Sequence, residues 1–355
     1  MKLIIPHPGH FAALKEIIAA KEAGGLNEAS EMSEVSEVYM AGSPEVLGSG
    51  RATLHAALID EIREQTEYAH QHRLKMNIVL NPSCLGGFHL TFEGYRIFEW
   101  YFGELEKAGV DGVTVAEPYL VELLRDSPLE TVVSCVAHVN SPQRAEFFED
   151  LGADGITLDT NINRDFGVLE AILRAVDCDI RLIVNEGCLY KCPFRHAHFN
   201  LFSHITTPRT SLLNAGAQAQ PLNTFADYYF DKCISIRVRD PSQIVRSPWI
   251  RPEDLAEYEA IGIHDFKISG RANAVNWIIN CVRAYSQRSL KGEGNQRNLL
   301  EILDCPSELR YAFHLDNELL GEAGSIKKWK RCRKICDECR FCDELTSKVL
   351  KVERK

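Results

Sequence analysis

The chain has 355 residues, 45% hydrophobic and 25% charged, a globular composition that excludes a disordered chain. At roughly 150 residues per domain, it suits one large domain with an appendage, or two domains. Fifty acidic against forty basic residues give a formal charge of −10, the opposite of the balance usual in a duplex-coating protein.

In chain order, the runs 3–6, 37–41, 76–81, 112–117, 132–138, 155–159, 181–185 and 265–269 read as strands. Most are almost continuously apolar, as strands buried on both faces of a parallel sheet are. Helix-compatible segments follow them at 11–23, 52–72, 92–108, 118–126, 141–151, 165–176, 252–261 and 272–287. Strand–helix units repeated over roughly 250–300 residues predict an α/β protein with a (β/α)8 TIM-like barrel. A weak internal repeat agrees: Gly109-Val110-Asp111-Gly112, Gly152-Ala153-Asp154-Gly155 and, more loosely, Gly262-Ile263-His264-Asp265. Each copy ends a helix at glycine and turns into a buried strand. No Gly-x-Gly-x-x-Gly follows the first strand, which argues against a dinucleotide-binding sheet.

The expected layout is a barrel domain over 1–290 with a Cys/His-bearing insertion after strand 7, at about 188–250, and a small Cys-rich C-terminal extension over 291–355. The insertion leaves a strand C-terminus, where a barrel places its active site. The extension ends in an amphipathic stretch, 343–352, read as helix. No apolar run of roughly eighteen residues is present, so no membrane span is expected. The first residues, Met1-Lys2-Leu3-Ile4-Ile5-Pro6-His7, lack an apolar signal region, so a cytoplasmic location is expected.

Twelve cysteines in a reducing compartment point to metal or redox chemistry more than to disulfides. Cys332, Cys336, Cys339 and Cys342 place four thiolates in one short segment, enough to surround a metal centre; an iron–sulfur cluster and zinc both suit four sulfurs. The basic residues Lys327 to Lys334 would offset the charge of such a cluster. Cys188 and Cys192 lie one turn apart in the insertion, and Cys233 joins them if the insertion folds back. The fourth ligand there is open between Cys84, in the loop after strand three, and His196, His198 or His204. Cys135, Cys178 and Cys281 sit in apolar surroundings and read as core.

Acid–base candidates cluster at strand C-termini, which a barrel brings to one mouth: Glu117, His138, Asp159, Glu186, Lys267 and Arg271, with His7 and His10 as weaker ones. Arg237, Arg239, Arg246 and Arg251 either hold an anionic substrate or pair with surplus carboxylates. No Gly-x-Ser-x-Gly, His-Glu-x-x-His or P-loop occurs.

The series Glu186-Gly187-Cys188, Cys192-Pro193-Phe194, Cys233-Ile234-Ser235-Ile236-Arg237, Arg246-Ser247-Pro248-Trp249-Ile250-Arg251 and Phe266-Lys267-Ile268-Ser269-Gly270-Arg271 resembles the U32 peptidase family over most of residues 1–290. Asp316-Asn317-Glu318-Leu319 and the four cysteines after it resemble the end of some clostridial-type members. The family name reflects an early collagenase assignment; better-understood members look like oxygen-independent hydroxylation factors acting in ubiquinone synthesis, on a tRNA wobble uridine or on a ribosomal cytidine. The resemblance implies a barrel, a four-cysteine [4Fe–4S] cluster, a prephenate-like oxygen donor and a U32 paralogue or redox protein as partner. Cys188, Cys192 and Cys233 match the family's cysteine-bearing region. This chain departs from the family in its shorter gap between Cys188 and Cys192, in Glu186 directly preceding Gly187, and in lacking a cysteine between Cys192 and Cys233.

The expectation is therefore an iron–sulfur enzyme, with one or two clusters, that hydroxylates a small molecule or an RNA base without oxygen. A zinc-dependent U32-type peptidase using Glu186, and a non-catalytic iron–sulfur partner protein, are the alternatives.

Overall fold

The computed structural model describes residues 1–22, 34–43, 46–51, 55, 57–206, 223–290, 297–336 and 338–352. Eight parallel strands close into a barrel in chain order: β1 (Lys2–Pro6), β2 (Glu34–Ala41), β3 (Lys75–Leu80), β4 (Gly112–Val115), β5 (Glu130–Val133), β6 (Gly155–Thr157), β7 (Asp179–Ile183) and β8 (Asp265–Lys267), with β8 pairing back onto β1. Helices α1 (Phe11–Ala20), α2 (Ile59–Gln71), α3 (Phe92–Lys107), α4 (Pro118–Leu123), α5 (Pro142–Asp150) and α6 (Phe166–Ala175) follow the first six strands. The expected (β/α)8 barrel is the observed fold.

The glycine repeat has a structural cause. Gly109, Gly152 and Gly262 all take positive φ, between 77° and 108°, where L side chains are strained. Each donates its N–H three residues back, to Glu106, Glu149 and Glu259 at 2.9 Å, and the next residue donates five back, to Leu105, Phe148 and Tyr258. This is the double hydrogen bond of a Schellman stop. In the first two copies the following aspartate then caps the neighbouring strand: Asp111 accepts from Met76 N and Asp154 from Thr131 N, both at 2.7 Å.

The strands end earlier than their apolar runs do. β5 stops at Val133, and a short 3-10 turn over Cys135–Ala137 carries the chain to His138 at φ 54°. His138 therefore lies beyond the strand it was expected to terminate. Glu117 precedes α4, two residues past β4, and Asp159 lies two residues past β6, where its side chain accepts from Asn161 N at 3.0 Å.

After β7 the chain makes α7 (Arg195–Thr206), α8 (Asn223–Arg239) and α9 (Ser242–Arg246), then α10 (Leu255–Glu259) before β8, and α11 (Val275–Ser286) after it. The rest adds α12 (Ser307–Ala312), β9 (Phe313–Leu315), α13 (Asn317–Glu322), α14 (Ser325–Trp329), α15 (Phe341–Val349) and β10 (Leu350–Val352). The expected helix 343–352 is thus shorter: its last three residues pair antiparallel with β9. Leu299, Leu300, Leu320, Trp329 and Val349 share the apolar core of the barrel helices. No helix among the described residues is long and apolar enough to cross a membrane.

One end of the barrel interior is polar. Buried Arg181 reaches Glu37 at 3.0 and 3.1 Å and Glu130 at 2.5 Å. This network fills the end away from the mouth.

Candidate active site

At the C-terminal ends of the strands lies a cavity of about 250 Å³. α7 and α8, from the insertion, contribute Phe199, Phe202, Tyr229 and Phe230 to its wall. Five described cysteines line it: Cys135, Cys188, Cys192, Cys233 and Cys305. Four cations line it as well, Arg51, Arg237, Lys267 and Arg271, against Asp304 as the only carboxylate among its described lining residues.

Glu186 lies three residues past β7 and is fully buried. Arg195 donates to one oxygen at 2.5 Å and Arg51 to the other, while the Thr160 hydroxyl adds a bond at 3.3 Å. Burial pushes the carboxyl pKa up, but the two guanidinium groups outweigh it and hold it far below the usual carboxylate range. A carboxylate held this way has little basicity left for water activation. Its structural role is to fix Arg51 at the cavity wall, where Arg51 also faces Asp304 at 3.6 Å.

Cys305 is brought in by a short parallel bridge between Glu186 and Asp304. Asp304 N donates to Asn185 O at 2.8 Å, and Gly187 N to Asp304 O at 3.0 Å. A Cβ on Gly187 would sit 2.7 Å from the Cβ of Cys305, so glycine is required for this close approach. Arg237 ties the same corner together, donating to Cys233 Sγ and to the Gly187 carbonyl. Burial pushes the Cys188, Cys192 and Cys305 thiols up, Cys305 to about 11. Without a metal these three sulfurs are neutral thiols; a metal would take the place of their protons.

The other expected residues divide. Lys267, the last residue of β8, lines the cavity with Nζ 4.0 Å from the Tyr39 ring centroid, and Arg271 lines it nearby. His138 and Asp159 form a pair at 3.3 Å, and the His196 ring lies tilted against His138 with centroids 4.1 Å apart; none of the three lines the cavity. Burial pushes the Asp159 carboxyl up, but the His138 bond and the Arg195 charge bring it below its ordinary value. Glu117 and Cys84 do not line the cavity; the Cys84 sulfur accepts from Gly86 N at 3.4 Å. Of the three insertion histidines only His198 lines the cavity, its pKa lowered to about 4 by burial. Of the four arginines, only Arg237 reaches the mouth: Arg246 pairs with Asp343, Arg251 with Glu253 and Asp254, and exposed Arg239 bonds the Ser235 carbonyl. His7 bonds Gln65 at 2.6 Å, away from the cavity.

Sequence reasoning missed Arg51, Arg195 and Cys305, and placed Cys135 in the core. Cys135 does lie in a buried apolar cluster, and its sulfur is also 4.0 Å from Arg51 at the cavity wall. Cys305 carried a signal: Cys192-Pro193 and Cys305-Pro306 are the two Cys-Pro pairs in the chain.

Burial lowers the Lys267 pKa to about 8. Its protonated form therefore prevails below that pH and fades above it. A small dicarboxylate, if held by Lys267, is expected to bind about tenfold more weakly at about pH 9 than at about pH 7. Titration calorimetry should show that dependence in the wild type and lose it in Lys267→Met.

The sequence profile of peptidase family U32 matches residues 26–189. An uncharacterized protease of Methanocaldococcus jannaschii is 42% identical over 351 residues, 98% of this chain and 99% of that protein. The solved structure of the U32 peptidase Mk0906 aligns at a TM-score of 0.50 with 26% identity, over 66% of this chain and 85% of that one.

Proposed function

This chain belongs to peptidase family U32, and from that premise we propose that its barrel mouth holds a thiolate-bound iron–sulfur cluster and serves oxygen-independent hydroxylation of a small molecule or an RNA base. The observation that carries this reading is the joint lining of one cavity by five sulfurs and four cations.

The donor set fits the group. Cysteine thiolates hold iron–sulfur clusters and zinc alike. Among the described residues, however, no three His, Cys, Asp or Glu side chains converge on a single-ion site. Cys188, Cys192, Cys233 and Cys305 line the same cavity, and four cysteines are the donor set of a [4Fe–4S] cluster. Cys188, Cys192 and Cys233 are the proposed ligands, with Cys305 as the fourth. The cluster, when bound, supplies electron transfer. The protein supplies the rest. Arg51, Arg237, Lys267 and Arg271 bind the carboxylates of a prephenate-like donor or the phosphates of an RNA, while Phe199, Phe202, Tyr229 and Phe230 exclude water and offer faces for a ring or base. A U32 paralogue or a redox protein is the proposed partner.

Mass spectrometry of RNA nucleosides and acidic metabolites, with and without the gene, tests this. A species lacking one oxygen atom in the deletion strain is expected. Unchanged profiles in both pools would contradict the reading.

The names of the M. jannaschii relative and of Mk0906 favour a second reading, peptide hydrolysis. Here His138 and Asp159, at 3.3 Å, are the acid–base pair, and Glu186 is not. Peptide cleavage by purified protein, lost in His138→Ala, would support it.

A further inference from the structure

A second group of cysteines lies on the flank of the barrel. Cys332, Cys336 and Cys342 line a cavity of about 40 Å³ together with Arg164, Lys334, Trp329 and Tyr190. Cys339 sits on the turn between Cys336 and Cys342 and does not line it. Tyr190 is the chain neighbour of Leu189, which lines the mouth cavity. The Cys188–Cys192 loop therefore separates two sulfur-lined spaces.

The charge around the flank cavity is unusual. Arg164 is buried between Trp249 and Trp329, its guanidinium 4.4 and 3.7 Å from their ring centroids. It donates to the carbonyls of Val245 at 2.8 Å and Trp249 at 3.0 Å, and its Nε has no partner. Lys334, at φ 61°, turns its Nζ onto the carbonyls of Arg164 at 2.5 Å and Cys332 at 3.3 Å. Among the described residues neither cation has a carboxylate within ion-pair distance. Arg164 is buried and Lys334 half-buried, and burying the Arg164 guanidinium in this way is costly unless an anion completes the site. Backbone N–H of Lys334 also donates to Cys332 Sγ at 3.4 Å.

We propose that Cys332, Cys336 and Cys342, with Cys339 as fourth thiolate, hold an iron–sulfur cluster separate from the barrel mouth, and that Arg164 and Lys334 balance its negative charge. The site is independent of the reading given to the mouth. Three of its four sulfurs line one cavity with both cations, and four cysteine thiolates are the donor set of such a cluster.

The test uses the full chain, reconstituted anaerobically with iron and sulfide, with iron, sulfide and zinc measured per chain and folding followed by circular dichroism. Cys336→Ser and Cys342→Ser are each expected to remove about four irons per chain while the fold is kept, whatever Cys188→Ser does. Lys334→Met, which leaves every thiolate in place, is expected to keep the iron and shift reduction to more negative potential. If Cys188→Ser keeps all its iron and Cys336→Ser loses it, the flank site stands and the mouth reading fails. Wild-type iron content in both flank variants overturns the proposal, as does zinc in place of iron at the flank.

Discussion

Glu186→Gln is expected to cost about 3–5 kcal/mol of stability, the range found when one partner of a buried ion pair is removed. Glu186 has no exposed surface, and two guanidinium groups converge on it. A neutral amide leaves Arg195 and Arg51 near each other with their main counter-charge gone; Asp159 at 3.9 Å and Asp304 at 3.6 Å compensate only in part. The pH dependence follows from the sign of the shift. The folded-state carboxyl titrates below its ordinary value of 4.5, so its contribution is complete above about pH 4.5 and is lost as pH falls toward the folded value. Urea unfolding of both proteins at neutral pH, and of the wild type as pH is lowered, measures both effects. A difference under about 1 kcal/mol, the scale of an exposed pair, would contradict the assignment.

Cys188→Ser and Cys233→Ser are expected to abolish the mouth chromophore. Serine offers a hard hydroxyl where iron in a cluster is held by soft thiolate. Cys305→Ser is expected to leave a three-thiolate centre that is made but loses iron on brief oxidation, giving an altered electron paramagnetic resonance signal. Cys178→Ser is the control: Cys178 lies beside Glu149, which accepts from its backbone N–H at 2.7 Å, at the end of β7 away from the mouth. Unchanged iron and absorbance in Cys188→Ser would remove the mouth centre from the account.

The barrel was legible because its strands are buried on both faces and so read as apolar runs, and because the Gly109, Gly152 and Gly262 stops mark where strands begin. Strand ends were less legible, since apolar side chains continue after the backbone ladder has stopped. The chain beyond Val133 stays buried through Val136 but turns in a 3-10 helix, which is why His138 was placed on a strand. At the site, Cys188, Cys192 and Cys233 were readable from motif and spacing, and the structure brings all three to one cavity. Cys305 is far from them in sequence and arrives through a two-residue bridge that no local pattern encodes. Glu186 was read as a base because its strand-end position suggests one. Only its three-dimensional partners, Arg51 and Arg195, reveal a locked anion. The 350–352 strand was missed for a similar reason: its pairing with β9 is long-range, and its sequence alone continues an amphipathic helix.

The mouth and flank sites share one physical feature: sulfur beside cationic side chains. At the mouth, Arg237 donates to Cys233 and Arg51 faces Cys135; at the flank, Arg164 and Lys334 adjoin Cys332 and Cys342. Such surroundings stabilise anionic thiolate clusters and raise their reduction potentials.

Iron, sulfide and zinc analysis of wild-type protein purified under anaerobic conditions, with its visible spectrum, is the decisive measurement. The account predicts iron and sulfide in near-equal amounts, about four of each per cluster, and a brown chromophore that bleaches in air. Colourless protein with no transition metal, or with zinc alone, would contradict it.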